Sequence, residues 1–205
     1  MKIRYWLVSF VMLSMGMFIA GCGSAPERID PQGNKGVITT DDINFKDWQI
    51  AAEKAVNSML ESGVLNRTDG RKTVLMVNMV KNSTNQHVNT RILTDKIRLA
   101  VLKSGKAITS TAVGLPGAED ASSKAVREIK NDDMFDQSTV QKAGTAIAPD
   151  MSLYGEIVQQ QAASGRTYES YFFFHLTLTN LKTGLAEWEE NVEIAKQGKL
   201  SWFGW

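Results

Sequence analysis

From residue 47 to 62, Trp48, Ala52, Ala55, Val56, Met59 and Leu60 recur at three- and four-residue spacing. That period puts them on one face of a helix, and Gly63 supplies the stop. Ahead of it, Thr39-Thr40-Asp41-Asp42 offers short side-chain oxygens that can cap the first turn. Residues 72–80 (KTVLMVNMV) form a short apolar run bounded by turn formers, which predicts a buried strand ending in the polar loop Asn82-Ser83-Thr84-Asn85. Residues 89–104 return to the helical period through Leu93, Ile97, Ala100 and Val101 and stop at Gly105. A strand at 107–113 follows.

The next stretch is broken by Gly114, Pro116 and Gly117. Residues 118–130 read as a mostly solvated helix with Val126 and Ile129 as contacts. Residues 137–148 read as a second helix, closed by Pro149, which cannot continue it. Beyond it the pattern turns to strand. Residues 151–160 form one strand, and in 171–179 Phe172, Phe174, Leu176 and Leu178 alternate with Tyr171, Phe173, His175, Thr177 and Thr179. Lys182-Thr183-Gly184 turns the chain, and Ala186, Trp188, Val192 and Ile194 alternate on the return. Two strand–helix–strand stretches followed by adjacent strands predict an α/β (α+β) fold. Its single mixed sheet has about four to five strands, is flanked by helices and ends in a β-hairpin. No internal repeat or second globular domain is visible.

The first residues have a different character. Lys2 and Arg4 precede an apolar run from Tyr5 to Ala20, interrupted only by Ser9, Ser14 and Gly16, and Ile19-Ala20-Gly21-Cys22 closes it. A basic start, an apolar centre and small residues before a cleavage point mark an export signal over 1–21. At roughly 16 residues the run falls short of the ~20 that span a bilayer. The cysteine matches the bacterial lipobox, so Cys22 is the expected acylation site. Several acyl chains would hold the product firmly at a membrane. Residues 22–40 shift to Gly, Ser, Pro, Asn and Asp and read as a flexible tether, leaving 41–205 as the globular part.

Charge narrows the classes. Two of the 23 bases and none of the 22 acids lie in residues 1–21, so the mature chain carries a net charge of −1. A nucleic-acid partner ordinarily demands a basic excess, and none is expected here. The only cysteine is committed to lipid, which excludes a Cys–His nucleophile. His87 and His175 lack the spacing of metal ligands. No phosphate cradle, Gly-x-Ser-x-Gly elbow or His-Glu-x-x-His occurs. Asp41-Asp42, Glu119-Asp120 and Asp132-Asp133 read as helix caps and dipole partners. The expectation is therefore a protein without catalytic residues, cofactor, metal or small-molecule substrate.

Two features point to binding. Tyr168, Tyr171, Phe172, Phe173 and Phe174 supply aromatic rings to both faces of one strand, so either helices cover both faces or one face is free for a partner. The ending Ser201-Trp202-Phe203-Gly204-Trp205 should fold back, touch a partner or contact lipid headgroups.

Five stretches resemble the LpoB family: 77–85 (VNMVKNSTN), 97–106 (IRLAVLKSGK), 150–155 (DMSLYG), 174–181 (FHLTLTNL) and 184–188 (GLAEW). The likeness runs from about residue 47 to 197. It implies an outer-membrane lipoprotein, facing the periplasm, that docks on a bifunctional penicillin-binding protein and raises peptidoglycan synthesis. Gly23 and Ser24 also lack the aspartate that retains lipoproteins at the inner membrane. The short tether, the 114–149 insertion and the aromatic ending depart from the family pattern, whose best-known members have a longer, Pro-rich tether. The alternative is a structural or assembly lipoprotein of a flagellar or secretion machine. For docking, the polar loop Asn82, Ser83, Thr84, Asn85 and nearby Arg91 are the candidates, since loops on a rigid sheet present polar groups free of core constraints.

Overall fold

In the computed structural model the first helix of the described residues, α1 (Phe45–Glu61), is capped by Asn44; the earlier candidates Thr39, Thr40, Asp41 and Asp42 lie outside the described residues. The Asn44 side chain accepts from the Asp47 amide at 3.0 Å and Asp47 returns a carboxylate to the Asn44 amide at 3.1 Å. This reciprocal capping box satisfies two orphan donors and starts the helix two residues before its apolar period becomes visible. The structure describes residues 30, 43–113, 119–142 and 144–199. The chain divides into two units, residues 1–36 and 37–205. Cys22, the 21/22 and 40/41 boundaries, the breakers Gly114, Pro116 and Gly117 and the aromatics Trp202, Phe203 and Trp205 lie outside the described residues. Among those described, no helix is long and apolar enough to cross a membrane.

The expected first strand divides in two. β1 (Thr73–Val77) ends where buried Asn78 takes over its own hydrogen bonding. The Asn78 amide donates to the Leu153 carbonyl at 3.0 Å and its Nδ2 to Ser152 Oγ at 2.8 Å. The chain resumes as β2 (Lys81–Ser83), so part of the predicted loop is strand. Helix α2 (Thr90–Ser104) is capped by Asn89 and ends on Gly105 at φ +68°, the left-handed conformation glycine adopts without strain. β3 (Ala107–Thr109) is shorter than predicted, and α3 (Ala121–Glu128) is capped by Asp120 and runs into a 3-10 turn at Ile129–Asn131.

Residues 137–148 were expected to be helical and are irregular. Asp136 Oδ1 takes the Ser138 amide at 2.9 Å, Thr139 bonds back to the Asp136 carbonyl, and Gly144 sits at φ +80°. Local side-chain bonding and a glycine outcompete a segment with no apolar face to bury.

The last three strands are long: β4 (Met151–Ser164), β5 (Thr167–Asn180) and β6 (Ala186–Lys199). The sheet order is β3-β1-β4-β5-β6, with β2 beside β4. The pairings of β1 with β3 and β4 and of β2 with β4 are parallel, and β4-β5-β6 is antiparallel. The sheet is thus mixed and open, and it ends in the expected hairpin; short β2 brings the strands to six. β4 and β5 pair residue for residue from Met151↔Asn180 to Ser164↔Thr167. The outer end of β4 is exposed and that of β5 half-buried, with Ser170 buried, and neither carries alternating large apolar residues, which is why hydrophobic alternation does not reveal them.

Helices α1 and α2 cover one face of the sheet. Met151, Leu153 and Ile157 of β4 and Phe172, Phe174, Leu176 and Leu178 of β5 are buried beneath them with Trp48, Val56, Met59, Leu93 and Ile97. The Trp48 ring meets Phe172 edge-on at 5.9 Å and Phe174 at a tilt, 6.5 Å away. Gly155 lies on this face opposite Leu176, where a side chain would strike Leu176 and Val80. Asp150 staples the start of β4 to β1. Its amide donates to the Val74 carbonyl at 2.8 Å, its Oδ2 accepts from the Val74 amide at 2.9 Å, and its Oδ1 meets Arg67 at 2.8 Å.

Candidate docking face

The opposite face of the β4–β6 antiparallel sheet is where chemistry and packing diverge from expectation. A sheet packed on one side ordinarily turns polar residues outward. Here strand alternation and register place Tyr154, Glu156, Val158 and Gln160 of β4 beside Thr177, His175, Phe173 and Tyr171 of β5. Glu189, Asn191, Glu193 and Ala195 of β6 continue each row. At the centre, Val158 pairs directly with Phe173, and Tyr171 lies two residues away on the same face; Val158 is 39% and Tyr171 37% exposed. The helices that pack closely on this sheet, α1 and α2, both lie on the other side. Phe172 and Phe174 enter the core, while Tyr171 and Phe173 lie on the face that no described helix covers.

Two polar networks frame that apolar centre. At one end Glu156 Oε1 accepts from Lys81 Nζ at 2.8 Å and from Ser83 Oγ at 2.5 Å, with the Tyr154 hydroxyl 3.4 Å from Oε2. The Lys81 ammonium, then the Ser83 hydroxyl, hold the Glu156 carboxyl below its ordinary range, and Glu156 in turn raises Lys81. Burial, then the neighbouring Glu156 charge, pushes the Tyr154 hydroxyl up. At the other end the Tyr171 hydroxyl donates to Glu169 Oε2 at 2.8 Å and Gln197 Nε2 to Glu169 Oε1 at 2.8 Å. These two donors lower Glu169, while that carboxylate raises Tyr171. Both networks lock side chains that a partner would meet, so fewer rotamers must be frozen on contact. His175 lies in the Glu156 row, with Nε2 2.9 Å from Thr177 Oγ1.

The candidate loop borders this face. Ser83 joins Glu156, and the Asn85 amide reaches Gln159 Oε1 at 3.3 Å. Asn82 folds the loop onto itself, accepting from the Thr84 amide and hydroxyl at 3.0 and 2.8 Å and donating to the Gln86 carbonyl at 2.8 Å. Arg91 is not brought to the loop. It lines a cleft of about 370 Å³ with Asp95, Arg98, Thr111, Glu119, Asp120 and Ala121. Sequence reasoning missed Lys81, Tyr154, Glu156 and Val158. The alternation of MSLYGEIV already separates Tyr154, Glu156 and Val158 from buried Leu153, Gly155 and Ile157, and that was the available signal. Among the described residues no group of three or more His, Cys, Asp or Glu side chains is arranged to hold a metal.

A sequence model described as "Peptidoglycan-synthase activator LpoB" matches residues 47–194. No curated protein sequence matches. Among solved structures, the LpoB C-terminal domain from Escherichia coli shares 17% identity at TM-score 0.42, covering 70% of this chain and 97% of that one. The corresponding domain from Salmonella enterica shares 19% at TM-score 0.41, covering 72% and 98%. Lipoprotein GNA1162 from Neisseria meningitidis shares 12% at TM-score 0.35, covering 62% and 84%.

Proposed function

Since the chain belongs to the LpoB family of peptidoglycan-synthase activators by its match over residues 47–194, we propose that it binds a bifunctional penicillin-binding protein and raises its synthesis of peptidoglycan. The family match carries this reading. Cys22 is the acylated anchor, holding the protein at the outer membrane with its domain in the periplasm. The open face of β4–β6, bordered by Asn82, Ser83, Thr84 and Asn85, is the docking surface, and Arg91 on α2 is a separate candidate contact. Aromatic residues are enriched at interfaces, and Tyr154, Tyr171 and Phe173 supply them on a rigid, half-polar surface. The activator needs no catalytic group. It acts if it binds the working conformation of the synthase more tightly than the idle one, which shifts the population toward that conformation.

The test is lipid II polymerisation by the bifunctional synthases of the same cell, with and without the full-length lipoprotein in detergent. The expected result is faster polymerisation that Phe173→Ser weakens at least tenfold in apparent affinity, without loss of the circular dichroism of the fold. No bound synthase and no change of rate would remove the proposal and favour a structural or assembly role in an envelope machine.

A further inference from the structure

The segment between β3 and β4 is built unlike the rest of the domain. Of its described residues between 119 and 148, none is buried, α3 included. Yet it carries large apolar side chains in the open: Met134 is 88% exposed, Ile147 64%, Phe135 43% and Val126 43%. Met134 is the most exposed large hydrophobic residue among the described residues. A segment that buries nothing gains little from folding by itself, and adjacent exposed apolar groups on an ordered loop offer a surface that another molecule can cover.

The order of that loop is visible in its hydrogen bonds. Asp132 Oδ1 accepts from the Met134 amide at 2.9 Å, and the Phe135 amide donates to the Asp132 carbonyl at 3.2 Å. Gln137 Nε2 bridges the Asp132 and Phe135 carbonyls at 2.8 and 3.2 Å, and Asp136 closes the next turn on Ser138. Met134 and Phe135 are thus presented at the tip of a turn whose backbone is already fixed. Their surroundings are anionic. Asp132, Asp133 and Asp136 flank them, and none of the three enters a salt bridge among the described residues.

An apolar pair flanked in sequence by three carboxylates without salt bridges among the described residues points to its complement: an apolar pocket with a rim of Lys or Arg. It also argues against a lipid surface of anionic headgroups, which three carboxylates would repel. We propose that Met134 and Phe135 form a docking knob that inserts into a basic-rimmed apolar pocket on the synthase. This contact is additional to the open sheet face and rests on the synthase reading above.

The measurement is binding of the full-length lipoprotein in detergent to the bifunctional synthases of the same cell, as a function of salt. Two variants are compared with the wild type: Met134→Ser with Phe135→Ser, and Asp132→Asn with Asp133→Asn and Asp136→Asn. The asparagines keep the carbonyl oxygens that accept from the Met134 and Ser138 amides and remove only charge. Neither set touches the core, so circular dichroism should be unchanged. The serine pair should weaken binding at least tenfold at all salt concentrations. The asparagine set should weaken it several-fold at low salt and flatten its salt dependence, because complementary charge acts through screened long-range attraction. Wild type and both variants binding equally would overturn the knob and leave the synthase reading standing. A wild type that binds no synthase would overturn both. A Met134- and Phe135-dependent dimer in sedimentation, or co-pelleting with anionic vesicles, would overturn the knob in favour of a second copy or a membrane.

Discussion

Gly155 is the position where one methyl group tests how tightly the sheet is packed. It lies on the buried face of β4, and a Cβ built on it would sit 2.8 Å from Leu176 Cδ2 and 3.1 Å from Val80 Cγ2. Leu176 is 1% exposed and Val80 3%, so both are confined. Leu176 can move its terminal methyl only into occupied core, and Val80, branched at Cβ, is stiff at χ1. Overpacking of this kind costs about 1–3 kcal/mol. Ala in place of Gly in a strand recovers roughly 0.5–1 kcal/mol through a less flexible unfolded chain. Gly155→Ala should therefore destabilise by a net of about 1–2 kcal/mol. For a domain of this size that lowers the melting temperature by roughly 2–8 °C. Urea unfolding followed by tryptophan fluorescence reads it, with the midpoint reduced and the m-value unchanged. The origin of the loss is checked in a Leu176→Ala background, where the nearer obstruction is gone. There the same substitution should cost at least about 0.5 kcal/mol less, since contacting residues couple on this scale. A midpoint equal to or above the wild type, or a cost undiminished in that background, refutes the packing argument.

The Glu156–Lys81 pair makes the β2 edge pH-sensitive. Glu156 is depressed in the folded state, so its contribution is complete above the ordinary carboxylate range and is lost as pH falls through its lowered value. Lys81 is raised, so its contribution is complete below the ordinary lysine range and is lost as pH climbs through its raised value. Amide exchange at Lys81, Asn82 and Ser83 should be slowest, relative to the intrinsic rate, between those limits and rise under acid; Glu156→Gln should abolish the acid step, and an unchanged step would exclude this pair as its cause. Asp150→Ala should destabilise by about 1–3 kcal/mol because the amide of Val74, itself 5% exposed, loses its acceptor, and Asp150→Asn should lose less. Urea midpoints decide it, and an alanine variant as stable as the wild type would contradict the stapling role.

Legibility from sequence followed the depth of burial. α1, α2 and the inward rows of β4 and β5 were read correctly because Trp48, Val56, Ile97, Phe172 and Phe174 must all reach one core, and that need imposes a period. Where nothing is buried, no period constrains the residues. Residues 137–148 were misread as a helix from composition and a closing proline, although Asp136, Ser138 and Gly144 hold local conformations that win once no packing opposes them. The outer ends of β4 and β5 were missed for a related reason. Backbone pairing and a few polar side-chain bonds, such as Gln161 to Ser170 and Gln197 to Glu169, sustain them, and these leave little mark on the hydrophobic pattern. The division of β1 from β2 was hidden by a single buried asparagine, whose hydrogen bonds depend on β4, about 75 residues away in sequence. Residues 82–85 border the sheet edge through Ser83 and Asn85, whereas Arg91, close in sequence, stands on the first turn of α2 and lines a different cleft.

The same distinction bears on how an activator without chemistry could act. A tenfold preference for one synthase conformation corresponds to about 1.4 kcal/mol, which a single well-enclosed aromatic side chain can supply. What is demanding is that the preference be for a conformation and not merely for the partner. One rigid patch gripping one rigid patch binds both conformations equally and shifts nothing. Discrimination requires contacts that can be satisfied together in one arrangement and not in the other. The β4–β6 face is held by a fourteen-rung ladder and locked polar networks, so it is suited to fix orientation. The Met134–Phe135 turn stands on a segment that buries none of its described residues, so its engagement depends on what the partner offers. Removing the knob should therefore lower the maximal stimulation of lipid II polymerisation as well as affinity, while weakening the face should lower affinity alone.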